Sequence, residues 1–494
     1  MSGIVNAILG GPSGGGASGV KVYRPAIEVK LLKMVQRREG AAERYTAAER
    51  EIDLTPFLGD GGSIRTAKSV YEAAGGFTVS FADQKHPNAM DTVSALVEPM
   101  DAIEIRGARK PHRFAGEKLP LIMRGWVSDI ERDESVSPDG TPRRQVTIKG
   151  QDSGKLWLIN QVIFEIAVLQ EIPFLDLFRM QAATGVDVSF MPVSSFITQL
   201  TERIVNDKVR RMAAFSSQQV RPFRVEATVG QGIVSATTAA SVQGPIWQIA
   251  ELFADRPWNE LFIEDEEEGP LVRFRPTPYR DLAGNLIMPG ATDPGRVDLS
   301  DDAVVALAMK RSDRQLANFF WVPPGATMFD TNAYANVASL QRGDVLDQNH
   351  PNNRPELYGV RRMQVQTRLL PNSISGLPSR EPTQAARQRA AGQTVLWHQQ
   401  RAAELKQMNR DNAVFEDGSA TLRGSEELKV GRYLRLTRGD LVSESYMTRI
   451  SHNITPLQGW TTNAGLERGT GFLERTKRPR TAYYAEAGRG PYAR

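Results

Sequence analysis

The residues suited to chemistry are few and scattered. The histidines are His86, His112, His350, His398 and His452, and no two stand at a metal-ligand spacing such as i, i+4. The sequence has no cysteine, which excludes disulfides, thiolate nucleophiles and Cys-bound zinc. Its one G-x-S-x-G match, Gly11–Gly15, falls in the Gly/Ser-rich stretch at 9–19 and not between a strand and a helix, so it is no nucleophile elbow. A triad assembled from distant positions stays open, because triads are recognised by geometry and not by spacing. His452 falls inside an expected strand, where a hydrogen-bonded structural histidine is a plainer reading than a base. One run of acids, Glu264, Asp265, Glu266, Glu267 and Glu268, invites comparison with a glycosidase. That reaction needs two carboxyls about 5–10 Å apart across a cleft, one with a raised pKa. The run sits in an expected hairpin turn, and a solvated turn lacks the burial that tunes a carboxyl. Residues 9–19 (LGGPSGGGASG) suggest a phosphate loop, but Gly19 is followed by Val20 and Lys21 rather than the Gly-Lys-Ser/Thr ending such a loop requires. A flexible tail fits that composition better. The expectation is therefore no catalytic residue, no cofactor-binding residue and no metal ligand.

Composition narrows the class. A chain of 494 residues exceeds one ordinary core, so three to four domains are expected. With 40% hydrophobic and 24% charged residues it reads as a soluble globular protein. No run of about 18 apolar residues occurs, so no membrane insertion is expected. The start, MSGIVNAILGG, has neither the basic region nor the cleavage pattern of a signal peptide. The lack of cysteine fits folding in a reducing cytoplasm. The 61 basic and 57 acidic residues nearly balance at +4, which suggests a mixed solvated surface and not a nucleic-acid binder. The exception is the tail after Glu474, RTKRPRTAYYAEAGRGPYAR, with six basic residues, one acid and three tyrosines. Such a tail either contacts nucleic acid or docks on a protein partner, and docking is the preferred reading.

The elements that would position these residues form two strand-rich regions with helical material between. In the first, 26–34, 52–58 and 76–83 are strand candidates, with Phe77, Val79 and Phe81 on one face. A short helix candidate follows at 91–101, then strands at 101–107, 119–130 and 143–150. Between the regions, Leu156, Ile159, Ile163 and Ile166 predict a helix over 155–169. Val193, Phe196, Leu200 and Ile204 predict a second over 192–212, with Lys208, Arg210 and Arg211 at its C-terminal end. A third covers 245–255, with Pro245 in its first turn. A hairpin follows, NELFIED and PLVRFRPTP flanking Glu266–Gly269. Further strands are expected within 281–325, loops over 326–382, and one long polar helix over 383–410 with Ala391, Val395, Ala402 and Leu405 on a narrow apolar face. Residues 428–470 carry three more strands. Leu434 and Leu436 alternate with Arg435 and Thr437, Tyr446, Thr448 and Ile450 alternate with Met447, Arg449 and Ser451, and Thr461–Leu466 returns. Trp126, Phe319-Phe320-Trp321 and Trp460 lie in strands or turns, so core packing is expected, with a contact between subunits as the alternative.

Several of these stretches resemble the baseplate hub proteins of contractile-tailed bacteriophages, relatives of tail late-control proteins and of type VI secretion spike hubs. LVEPMDAIEIRG followed by LIMRGWVSDIERDESVSPDGTPRRQVTIKGQDSGKLW is similar to that family's first barrel, with Gly125, Val127 and Ile130 on its G-x-V-x-x-I strand. NELFIEDEEEGPLVRFRPTPYRD is similar to its middle hairpin. KVGRYLRLTRG, ESYMTRISHNIT and TTNAGLERGTGF are similar to its second barrel, on Gly431, Arg432, Tyr446, Ser451, His452, Thr461, Thr462, Arg468 and Gly469.

The resemblance implies an α+β fold with two tail-tube-like antiparallel β-barrel domains separated by a mixed helical and hairpin domain. The expected layout is a flexible N-terminus at 1–21, a first barrel at 22–152, a middle domain at 153–280, strands and long loops belonging to the second barrel at 281–382, a long helix at 383–412, completing strands at 413–474 and a basic tail at 475–494. It implies a homotrimer whose six barrels adapt a sixfold tail tube to a threefold spike, with no catalysis. The implied partners are the tail tube protein, the central spike protein, the tape measure protein and baseplate wedge proteins, with genomic DNA only in transit. The implied location is the virion baseplate, after assembly in the host cytoplasm. A tail-associated peptidoglycan hydrolase and a tail-tip hub of a non-contractile phage are the alternatives.

Overall fold

The structure, a computed structural model, describes residues 25–34, 51–84 without 60, 92–162 without 137, 139 and 141, 190–215, 220–235, 244–323, 350–372 and 384–470 without 439, 440, 457 and 458. The segments 1–21 and 475–494 lie outside the described residues, as do His86, Ile163 and Ile166.

The first strand group comprises β1 (Ala26–Leu32), β2 (Glu51–Asp53), β3 (Ser63–Ser69), β4 (Gly76–Ala82), β5 (Ala102–Ala108), β6 (Leu121–Val136) and β7 (Pro142–Asp152). The hairpin is β8 (Asn259–Glu266) and β9 (Gly269–Pro276). The second group is β10 (Arg296–Ser300), β11 (Val304–Lys310), β12 (Glu416–Arg423), β13 (Tyr433–Arg438), β14 (Leu441–Thr455) and β15 (Gly459–Gly469). The helices that matter here are α1 (Val193–Leu200), α2 (Asn206–Phe215), α3 (Ile246–Ala254) and α4 (Gln384–Asn409).

The fold is α+β and mostly antiparallel. The two strand groups share one 13-stranded sheet, in the order β11-β12-β15-β14-β3-β4-β7-β6-β5-β1-β2, with β10 and β13 joined to it through β14. Neither group closes on itself among the described residues. The reason is local to β3, whose one edge pairs with β4 while its other edge pairs with β14, in register from Ile64↔Ile454 to Ser69↔Arg449. Strand β14 therefore serves β13 with residues 441–446 and β3 with residues 449–454. A bulge between Met447 and Arg449 lies where the two partners change over.

That bulge corrects one expectation. Strict alternation puts Met447 and Ile450 on opposite faces, yet both enter the second core with Leu422, Leu434, Leu436 and Leu466. The extra residue reverses the facing, as a bulge does. The alternation in β4 holds, and Phe77, Val79 and Phe81 enter the first core with Val29, Leu31, Ile103 and Ile148. Trp460 and Ile454 reach that core from the second group. A third core gathers Trp157, Phe196, Leu200, Trp247, Phe253 and Phe274, and Trp126 joins it. A fourth holds Trp258, Phe320, Leu405 and Met408.

Other expectations change at their ends. The helix expected over 155–169 stops at Ile159, which is exposed, and Gln161–Val162 pairs as a short strand with Gly244–Pro245. The candidate at 91–101 is helical only over Val93–Leu96. In 52–58 the strand ends at Asp53, and Pro56 sits in a 3₁₀ turn over Thr55–Phe57. The helix at 192–212 runs on to Phe215 but passes through a π-helical turn, Thr201–Val205, with Val193, Phe196, Leu200 and Ile204 all buried. Helix α4 buries Val395, Ala402 and Leu405 as expected, together with Thr394, Trp397, His398, Arg401 and Glu404.

Candidate functional site

The hairpin β8–β9 is where both strand groups meet the helical core. Its register pairs Glu260 with Arg275, Phe262 with Arg273 and Leu261 with Phe274. Alternation sends Leu261, Ile263, Val272 and Phe274 into the helical core. The opposite face carries Glu260, Phe262, Glu264, Arg273 and Arg275, and it does not face solvent: Glu260 and Glu264 are only 6% and 4% exposed. The expected solvated acidic turn shrinks to Glu266–Gly269, and Glu264 and Asp265 lie buried in β8. They tolerate burial because the strand groups supply cations to them.

The acids of the hairpin reach several elements. Glu260 accepts from Arg275 Nε at 2.6 Å and from the Tyr446 hydroxyl at 2.6 Å, while Arg275 donates to the Gly431 carbonyl at 2.6 Å. Burial pushes the Glu260 carboxyl up against the pull of Arg275. Burial and Glu260 hold the Tyr446 hydroxyl well above its usual value, so it remains a donor. Glu264 accepts from Arg273 Nε at 2.8 Å and faces Lys429 at 3.1 Å and Arg432 at 3.4 Å. Burial opposes its ionisation, but Lys429, Arg273 and Arg432 together hold its carboxyl down at about 2. Asp265 accepts from the Ser153 hydroxyl at 2.6 Å and lies 3.4 Å from Lys68 Nζ, which is 2.6 Å from Asp152. Glu267 takes a two-pronged contact from Arg106, at 2.6 and 2.9 Å, and accepts from the Leu121 amide. Glu266 and Glu268 hold Arg224.

A cavity of about 50 Å³ adjoins this seam, lined by Glu104, Arg124, Ser153, Arg221, Trp126 and Leu156 among others. It has room for water but not for a sugar or a drug-sized ligand, whose pockets measure about 300–1,000 Å³. Among the described residues no group of three His, Asp or Glu side chains is arranged to hold a metal ion. What the arrangement can do is lock three bodies together and bind protons.

The family-motif residues fall into three places. Gly431, Arg432 and Tyr446 stand around the hairpin, and Arg468 lies beyond it against Tyr279 and Phe415. Gly431 has φ 75°, and a Cβ there would lie 2.7 Å from the Phe262 ring. Arg468, also left-handed at φ 55°, is buried with its guanidinium 4.1 Å from the Phe415 ring and 4.8 Å from the Tyr279 ring; it donates to the carbonyls of Met408 and Arg280. Gly469 packs against the Ser445 hydroxyl and the Glu416 carbonyl, too close for a Cβ. His452, Thr462 and Trp460 form a second group in the joined sheet. Nδ1 of His452 accepts from Trp460 Nε1 at 3.2 Å and lies 2.8 Å from the Thr462 hydroxyl. Burial holds this imidazole down at about 4, so it is neutral at pH 7. Ser451 is half-buried beside it, and Thr461 is exposed. Gly125, Val127 and Ile130 lie in β6, with Val127 in the first core, Ile130 packed against it, and Gly125 under the edge of Phe77.

The remaining histidines are apart from one another. His112 is exposed in a 3₁₀ turn, and His350 meets the Lys406 carbonyl at 3.0 Å and packs against Phe320. His398 is buried on α4, and burial holds it down at about 4.

No family model matches the sequence, and a search of curated proteins finds no match. Solved structures similar to the chain include phage-tail and secretion proteins. A tail protein from Neisseria meningitidis aligns over 92% of this chain and 99% of its own, at 10% identity and TM-score 0.42. The 43 kDa tail protein of prophage MuSo2 from Shewanella oneidensis aligns over 90% and 98%, at 12% identity and TM-score 0.46. The c3393 protein of E. coli, a type VI secretion component, aligns over 82% and 73%, at 7% identity and TM-score 0.33.

The residues that sequence reading misses are Lys68, Asp152, Glu260 and Arg275. For the last two a signal existed: Glu260, Glu264, Arg273 and Arg275 share one face of a strict hairpin whose other face is apolar. Nothing local marks Lys68 or Asp152, which reach the hairpin from β3 and β7.

Proposed function

We propose that the chain is a structural hub of a bacteriophage tail baseplate, acting as a homotrimer and not as an enzyme. Each copy contributes two tube-like β units, so that three copies present six to the tail tube and a threefold face to the central spike. The observation that carries this reading is the β3–β14 ladder, which sets two antiparallel units side by side in one sheet. The terminal strands β2 and β11 each have one partner among the described residues. Open edges of this kind invite pairing with a neighbour, and symmetric closure satisfies them. The buried acids Asp265 and Glu264 meet cations from outside the hairpin, Lys68 and Lys429, which suits a joint that carries load. In this reading the tape measure protein and baseplate wedge proteins are neighbours in the virion, and DNA passes through the ring without being held.

Light scattering across a concentration series tests the proposal. The expected mass is three times the 54.6 kDa of one chain, independent of concentration. A monomer that also fails to cap purified tail tubes would overturn it.

A further inference from the structure

The joint around Lys68 holds an uneven number of charges. Lys68 comes from β3, Asp152 from the end of β7 and Asp265 from β8. Asp152 and Asp265 are almost wholly buried, with 0% and 5% of their surface exposed. One ammonium thus faces two carboxylates. Asp152 also accepts from the Gly154 amide at 2.8 Å, and Asp265 from the Ser153 hydroxyl. The other charged groups facing the cluster do not correct the imbalance. Glu264 on β8 is occupied with Arg273, Lys429 and Arg432. Arg124 across the cavity is paired with Glu104. Lys155, next along the chain, donates to the Val127 carbonyl and to Ser128.

We propose that Asp152 takes up a proton in mild acid, and that this proton tightens the joint between β3, β7 and the central hairpin. A buried site with one excess negative charge gains by binding one proton, because the remaining pair is then neutral. Burial, with the added repulsion of Asp265, outweighs the attraction of Lys68 and pushes the Asp152 carboxyl up to about 6. The sign follows. Above that pH the folded protein carries the uncompensated charge, and the cost appears as pH rises from the usual carboxyl range through about 6. The joint is tightest on the acid side of neutrality. Water has access to the edge of the cluster, since Ser153, hydrogen-bonded to Asp265, lines the cavity that has room for it.

The test compares unfolding midpoints of the full chain and two variants from pH 4.5 to 8.5. Asp152→Asn carries the neutral state permanently. Its midpoint relative to wild type should rise with pH from 4.5 and level off above about 6. Asp265→Asn removes the repelling carboxylate, so in that variant the loss of stability with rising pH should level off at a lower pH. Reading differences between variants cancels the titration of groups elsewhere. A variant-minus-wild-type difference that stays constant from pH 4.5 to 8.5 for Asp152→Asn would overturn the proposal. If Asp152→Asn does not fold, a profile for Asp265→Asn parallel to wild type would overturn it equally.

Discussion

At the scale of single residues, the hairpin shows why a buried charge is weak support for stability yet costly to disturb. Glu260 has two donors, Arg275 and Tyr446, and both are buried with it. Arg275→Met leaves the carboxylate without its counter-charge and should cost about 3–5 kcal/mol in denaturant unfolding. Tyr446→Phe removes one charge-assisted hydrogen bond and keeps the ring against Tyr279, so its cost should be smaller, about 1.5–3 kcal/mol. Equal losses for the two would contradict the assignment of Arg275 as the main compensating charge. Part of this site was legible from the sequence. The polar face of the hairpin could be read from Glu260, Glu264, Arg273 and Arg275, but not what covers it. A charged face on a strand usually meets water, and only the fold places Lys429, Arg432 and Tyr446 above it.

At the scale of elements, strands with uninterrupted alternation were legible, as β4 and β13 show, because one residue in two must enter a core. The Met447 bulge was not, since an inserted residue reveals itself only against a partner strand. Helix α4 illustrates a different gap. Its narrow apolar face predicted a partner, but the anchor is Arg401, whose guanidinium lies 4.2 Å from the Trp397 ring and 5.1 Å from the Trp258 ring, with Glu404 at 2.8 Å. Stacked arginine is polar in sequence and buried in fact. The most consequential pairing, β3 with β14, left no local mark at all. Ala67 tests β3 as the strand shared by the two groups, because its side chain is exposed while its backbone sits between β4 and β14. Ala67→Pro should destabilise by about 1–3 kcal/mol through the lost ladder bond to β4. Ala67→Ser should cost a few tenths. A proline variant as stable as wild type would show that the joined sheet does not depend on regular pairing along β3.

At the scale of the whole molecule, opposing titrations should flatten the response to acid. His398 and His452, held neutral by burial at about 4, give stability that is full above their usual 6.5 and is lost as pH falls toward 4. Asp152 and Asp255, pushed up by burial to about 6, act in the reverse sense over much the same range. Only below about 4.5 should Glu264 add its own loss, which continues toward 2. His452→Gln should therefore lose less stability than wild type between pH 6.5 and 4, as read from urea midpoints. An unchanged slope would mean that His452 is not the buried neutral imidazole described. The β3–β14 ladder has a further consequence, in time instead of energy. Ile64 pairs with Ile454, some 390 residues later in the chain. At about 5–20 residues per second, a ribosome needs roughly 20–80 s to supply the partner. Through that interval the first strand group has its helices' worth of sequence still arriving and one edge of β3 open. Synthesis speed, and whatever shields that edge on the ribosome, then decides how much of the nascent chain reaches the joined sheet and how much is lost to aggregation.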